Sequence, residues 1–315
     1  MKKTDLIAPE QYNIVSEIEQ YAEQADKKTL IYHDDEGHQT TVTYAELIAG
    51  ANQYGHVFKA HGLKKGDKLL ILMPRSIETY YLYIAALKLG VIVIPGSEML
   101  RTKDLQYRIQ HGEVTAVASV DVGAEQFERV DGIDHVTKFI IGQPRDQWID
   151  LTGEAQDQST ELETIPTHRD DVAFLPYTSG TTGNPKAVIH THGWGYAHLQ
   201  MAPKHWLCIE EDDLVWATAA PGWQKWVWSP FLSIMGTGAT AFIYNGRFNA
   251  ETYLKLLQDN HINVLCCTPT EYRIMSKLEN LTDYDLSHLH SAVSAGEPLN
   301  REVIDQFRDN FNLSV

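Results

Sequence analysis

From Thr43 onward, short apolar β-type runs alternate with segments whose apolar residues recur at helical spacing, and this alternation limits the folds open to the chain. Thr43-Tyr44-Ala45-Glu46 is a capping box, in which a threonine hydroxyl and a glutamate three residues on satisfy each other's backbone amides. Leu47, Ala51, Tyr54 and Phe58 follow on one helical face, and Gly62 supplies the stop. Residues 68–73 then read as a strand. Ser76 opens a second helix with Ile77, Tyr80, Tyr81, Ile84 and Leu87 on one face, Gly90 ends it, and residues 91–94 form a buried-type strand. Strands joined through helices build βαβ units, so the expected class is α/β, with two mostly parallel sheets flanked by helices.

The rhythm continues with a helix near 103–110 and strands at 114–119 and 138–141. Residues 142–169 are polar and irregular, and further strands are expected at 172–177, 187–191, 214–218, 239–243, 262–267 and 291–295. Ala250, Tyr253, Leu254 and Leu257 mark one later helix, and a second capping box, Thr268-Pro269-Thr270-Glu271, opens another. Residues 1–42 read as a polar arm with a helix over 11–25. The polar stretch divides the chain into an expected first subdomain, 1–170, and a second, 171–315. Leu299, Val303, Ile304, Phe307 and Phe311 form a last helical face, and Leu313-Ser314-Val315 reads as the start of another strand. An unpaired strand edge there implies that the fold continues beyond residue 315.

Seven Trp, fifteen Tyr and nine Phe supply ample apolar area and argue against disorder. The formal net charge of −16 repels phosphate backbones, so no nucleic-acid partner is expected. Any nucleotide must therefore be held by local backbone amides and a few cations. Cys208, Cys266 and Cys267 lack the spacing of a zinc or disulfide framework. His190, His192, His198 and His205 cluster in sequence without a convergent ligand pattern, so no metal site is expected. The start lacks a secretory signal, and the longest apolar stretch, residues 80–95, is interrupted by Lys88 and Gly90. A cytoplasmic protein with no membrane span is expected.

Chemistry concentrates in Tyr177-Thr178-Ser179-Gly180-Thr181-Thr182-Gly183-Asn184-Pro185-Lys186, which follows an expected strand. Glycines let backbone amides approach an anion closely, successive amides form an anion nest, hydroxyls add donors, and Lys186 adds a mobile charge. Gly180 and Gly183 are too close for a Walker A loop, and the string is not G-x-G-x-x-G. The bland alternative is a glycine- and threonine-rich surface loop without a ligand.

The ten-residue string resembles the phosphate-loop signature of the adenylate-forming (AMP-binding) superfamily, a pattern rarely met elsewhere. Other stretches agree in order. Leu87-Lys88-Leu89-Gly90 is similar to the family's early helix–strand element. Thr268-Pro269-Thr270-Glu271-Tyr272-Arg273 resembles a P-x-x-Y-R segment of medium-chain acyl-CoA synthetases, and Ser294-Ala295-Gly296-Glu297-Pro298-Leu299 resembles the adenine-side segment. The resemblance implies the large N-terminal domain of the adenylate-forming fold and an acid–CoA ligase reaction. In that reaction a carboxylate attacks the α-phosphate of MgATP, and the thiol of CoA then displaces AMP. The nucleophile belongs to the substrate, so the protein's part is positioning and charge stabilisation.

By the same resemblance Thr178, Ser179, Gly180, Thr181, Thr182, Gly183 and Lys186 hold the ATP phosphates, and Gly296, Glu297 and Pro298 flank the adenine. Trp223 falls near the aromatic gate of the acyl pocket, against the alternative of a core aromatic. Magnesium rides on the nucleotide phosphates. Between Asp213 and Asp259 only Glu251 is acidic, which leaves a substrate ammonium unpaired and favours an uncharged acyl tail, aliphatic or aryl. The resemblance points toward the medium- or branched-chain group, and Lys225, which could meet a carboxylate, is expected to be a surface lysine. The family's later segments, which carry a magnesium-facing Glu, the ribose contacts and the small C-terminal lid with its catalytic lysine, do not occur in these 315 residues. No complete catalytic set is therefore expected in them. Two other readings stay open: a nucleotide- or acyl-binding module without catalysis, and a P-loop-like NTPase.

Overall fold

The computed structural model describes residues 2–178 and 183–315. Along the chain the regular elements are α1 (Ser16–Glu19), β1 (Lys28–Asp34), β2 (Gln39–Thr43), α2 (Tyr44–Ala60), β3 (Lys68–Leu72), α3 (Ile77–Lys88), β4 (Ile92–Gly96) and α4 (Thr102–Gly112). They continue with β5 (Ala116–Ser119), α5 (Asp121–Phe127), β6 (Thr137–Ile140), β7 (Ile149–Asp150), α6 (Leu151–Ala155), β8 (Val172–Phe174), β9 (Tyr177–Thr178), β10 (Lys186–Ala187) and β11 (His190–Thr191). The remainder are α7 (His192–Ala202), β12 (Leu214–Ala217), α8 (Gln224–Trp226), β13 (Thr240–Asn245), α9 (Ala250–Asp259), β14 (Val264–Cys267), α10 (Pro269–Met275), β15 (Ser291–Ser294) and α11 (Arg301–Phe311). Among the described residues no helix is long and apolar enough to cross a membrane.

Two compact units form. The first comprises residues 2–27, 44–197 and 220–224, and the second comprises 28–43, 198–219 and 225–315. In the first, seven strands take the order β11-β8-β4-β3-β5-β6-β7, parallel except where β11 meets β8. Strands β3, β4 and β5 are almost wholly buried, as a central parallel sheet covered on both faces requires. Leu70, Ile94, Leu105, Ile109, Val117 and Phe127 pack one of its cores. In the second unit six strands take the order β15-β14-β12-β13-β1-β2, parallel except for the β1–β2 pair. Trp216, Phe242, Tyr253, Leu265, Tyr272 and Phe307 form its core.

Helix starts follow the sequence signals. Ser76 caps α3 through the Thr79 amide, Asn249 caps α9 through Thr252, and the Thr268–Glu271 box opens α10 with Pro269 at its first position. Four expectations differ from the structure. The arm over 1–42 contains β1 and β2: Leu30 to Asp34 pair in register with Ala241 to Asn245 of β13, so the segment belongs to the second unit's sheet. The helix over 11–25 reduces to one α-turn and a 3₁₀ segment (Gln20–Glu23), because Ile14, Val15 and Ile18 are buried and the Asn13 side chain caps the Leu87 carbonyl. The irregular stretch 142–169 carries β7 and α6, where Asp150 accepts from the Gly153 amide. The expected division at residue 170 also differs from the observed units, since β8 and β11 complete the first sheet and β1 and β2 extend the second.

Candidate functional site

The phosphate-loop string leaves β8 and forms a hairpin whose stem is visible on both sides. β9 and β10 pair antiparallel, Thr178 opposite Lys186 and Tyr177 opposite Ala187, and the Val188 amide donates to Pro176 at 2.9 Å. Ser179, Gly180, Thr181 and Thr182 lie outside the described residues. Gly183 takes φ +132 with open space where a side chain would stand, a backbone conformation that favours glycine. Lys186 is exposed, and its side chain has no partner among the described residues. The Thr178 hydroxyl lies 3.5 Å from the Lys186 carbonyl, at the edge of hydrogen-bond reach.

Helix α4 holds this stem, a role the sequence reading missed. The Tyr107 hydroxyl donates to the Pro185 carbonyl at 3.1 Å. The Arg108 guanidinium lies 5.1 Å from the Tyr177 ring centroid, and His111 Nδ1 lies 3.0 Å from the Tyr177 hydroxyl. Burial raises the pKa of Tyr177 and lowers that of Arg108. The signal was present as Tyr107-Arg108 and His111 on one helical turn, but nothing in the sequence said which loop they would meet.

Trp223 is 56% exposed, which removes the core-aromatic alternative; Trp216 and Trp226 are the buried members of that tryptophan group. Gly222 before it has φ +89, and a Cβ there would lie 2.3 Å from the Gly96 carbonyl carbon and from the Ser97 Cα. The segment 220–224 therefore rests backbone-on-backbone against the carboxyl end of β4 within the first unit.

In the second unit the structure joins two motifs that the sequence presented separately. The Glu297 carboxylate accepts from the Thr270 hydroxyl at 2.6 Å and from Arg273 at 3.0 Å, so the P-x-x-Y-R helix α10 fixes the segment Gly296-Glu297-Pro298. The Thr270 hydroxyl, then Arg273, hold Glu297 below the usual glutamate range. Gly296 takes φ +113 in open space. These residues sit just past the carboxyl ends of β14 and β15, where open parallel sheets place ligands.

A small cleft of about 20 Å³ lies at the same edge, lined by Ala217, Thr218, Lys225, Ser229, Cys266 and Thr268 among others. Lys225 is not the surface lysine expected. It is half-buried, its ammonium donates to the Ser229 hydroxyl at 2.7 Å and lies 3.6 Å from the Trp206 ring centroid, and burial pushes its pKa down. Glu271 is committed elsewhere, accepting from the Thr218 hydroxyl (2.8 Å) and the Thr268 amide (2.7 Å). Cys266 and Cys267 are buried in β14, and Cys208 is exposed. Among the described residues no group of three or more His, Cys, Asp or Glu is placed to hold a metal ion.

Comparison with known proteins gives the chain its family. The chain belongs to the AMP-binding enzyme family, whose model matches residues 18–315. It is 53% identical over its whole length to an uncharacterized acyl–CoA ligase, YtcI, of Bacillus subtilis, and spans 59% of that protein. It is 32% identical to 4-hydroxybutyrate–CoA ligase 1 of Metallosphaera sedula, with 93% of this chain and 51% of that one covered. A crystal structure of a Brucella canis acyl-CoA synthetase superposes with TM-score 0.90 at 21% identity, over 98% of this chain and 58% of the other. The chain thus spans between half and three-fifths of the length of these relatives.

Proposed function

We propose that the protein activates a carboxylic acid with ATP to an acyl-adenylate and passes the acyl group to the thiol of CoA. The observation that carries this reading is the β9–β10 hairpin, anchored by Tyr107 and Arg108 and closing on an exposed Lys186 that no described protein group engages. Thr178, Ser179, Gly180, Thr181, Thr182, Gly183 and Lys186 are assigned to the triphosphate, and Gly296, Glu297 and Pro298 to the adenine. Trp223 is assigned to the acyl gate, which its exposure supports. The acid carries its own nucleophile, so these residues bind, orient and neutralise charge without attacking it. Magnesium enters only as the counter-ion of the nucleotide phosphates, where a hard cation that keeps its waters takes few protein ligands.

Because these residues span part of the relatives' length, we assign complete turnover to a protein that also carries a lid region, and to residues 1–315 alone little or no thioester formation. A pyrophosphate-release screen across carboxylic acids, with and without CoA, tests the reading. Acid-dependent release followed by CoA-dependent thioester is expected of the intact protein. ATP hydrolysis independent of any acid would instead favour an NTPase, and nucleotide binding without turnover would favour the binding module.

A further inference from the structure

Lys225 presents a charge without a counter-ion. It lies against the Ser229 hydroxyl, the Trp206 ring and Cys266, and among the described residues no carboxylate lies within ion-pair distance. A desolvated ammonium is costly unless it is paired. A hydroxyl and an aromatic face soften that cost without neutralising it.

The local backbone is built around this lysine. Trp206 lies on a π-helical turn (Pro203–Leu207), and Ser229 on a second (Val227–Ser233) that accommodates Pro230. Such widened turns are rare and gather at functional positions. Here they bring an indole face and a hydroxyl to one ammonium. The cleft it lines is at the carboxyl ends of β12 and β14, has room for about one small polar group, and has Thr218 and Thr268 on its wall. The carboxylate bonded to that wall, Glu271, does not line the cleft and is already taken by those two threonines.

We propose that Lys225 is a specificity-determining residue that receives a second carboxylate, at the far end of the acid being activated, so that the preferred substrate is a short dicarboxylic acid rather than an uncharged aliphatic one. This rests on the acid-activating function proposed above and replaces the uncharged tail expected from the scarcity of acidic residues. That argument rested on a substrate cation and preferred a surface position for Lys225 over a carboxylate partner. A substrate carboxylate gives the ammonium its missing partner in a charge-assisted hydrogen bond, with Ser229 and Trp206 keeping the lysine in place.

The test compares succinate and glutarate with butyrate and valerate, matched in chain length, in pyrophosphate release by the intact protein. The diacids are expected to show kcat/KM about tenfold or more above their matched monoacids. Lys225→Met should abolish that advantage by raising KM for the diacids while leaving the monoacids unchanged or improved, and Lys225→Arg should keep most of it. Thermal unfolding of both variants separates misfolding from lost selectivity, and if the Met variant does not fold, the Arg variant and the wild-type preference decide. Wild-type preference for monoacids, or unchanged selectivity in Lys225→Met, overturns the inference and leaves the acid-activating function standing. If no acid of either kind is activated, that function fails on its own. Calorimetric binding of the same four acids then decides the lysine's role: diacid binding lost in Lys225→Met upholds it, and no diacid binding overturns it.

Discussion

At the scale of single residues, Gly222 carries a sharp steric demand, because its close neighbours are backbone atoms. Its φ of +89 disfavours any side chain, and a Cβ would come within 2.3 Å of backbone atoms of Gly96 and Ser97, which cannot rotate away. Gly222→Ala is therefore expected to cost ~2 kcal/mol or more, from left-handed strain plus the clash. Chemical denaturation of the variant checks this, and a loss below ~0.5 kcal/mol would show that the segment does not rest on β4 as described. This residue scale is also where sequence reading had least purchase. The glycines and Lys186 of the phosphate loop announce their chemistry by type and spacing. Burial, which turned Lys225 from a surface lysine into a lining one and left Trp223 exposed, depends in large part on residues distant in the chain, such as Trp206 beside Lys225.

Elements were more legible, because caps and periodicity are local. Both ends of the Thr268–Glu271 box appear in the sequence, and both bonds form at the start of α10. Glu271 additionally accepts from Thr218, which ties the helix to the end of β12. Thr268→Ala should cost about 1 kcal/mol, as the loss of a threonine cap usually does, whereas Glu271→Ala should cost more because it also removes the bond from the Thr218 hydroxyl. Equal losses in thermal or chemical melts would contradict the shared role of Glu271. Among the elements that escaped notice, β2, β7, α5 and α6 are short, and β1 begins and ends on charged residues. The pairing of Leu30 to Asp34 with residues more than 200 positions later leaves no local trace. The stem contacts from α4 to Tyr177 and Pro185 escaped for the same reason.

For the molecule as a whole, alternation of strand and helix gave the α/β class and the parallel sheets, while the exchange of segments between units depends on sheet order, which periodicity does not encode. One global property follows from a buried group. His192 is almost fully buried, its Nδ1 accepts from the Ile14 amide at 3.1 Å, and its Nε2 has no partner among the described residues. Burial lowers its pKa to about 4, with Asp171 opposing and Lys65 adding to the shift. The unfolded chain takes up this proton near pH 6.5, so between pH 6.5 and 4 the unfolded state binds more protons and stability falls as pH drops, by up to ~3 kcal/mol at full effect. In His192→Gln the slope of stability against pH across that window should flatten, whatever its absolute stability. An unchanged slope would assign the acid sensitivity to other groups.

The central claim is that the hairpin loop ending at Lys186 binds the phosphates of a nucleotide. Calorimetric titration of MgATP into the protein and into Lys186→Ala tests it most directly. Saturable binding that weakens at least about tenfold in the variant is predicted, the loss of one charge-assisted contact. Equal affinity in the two proteins, or no binding to the unaltered chain, would contradict it.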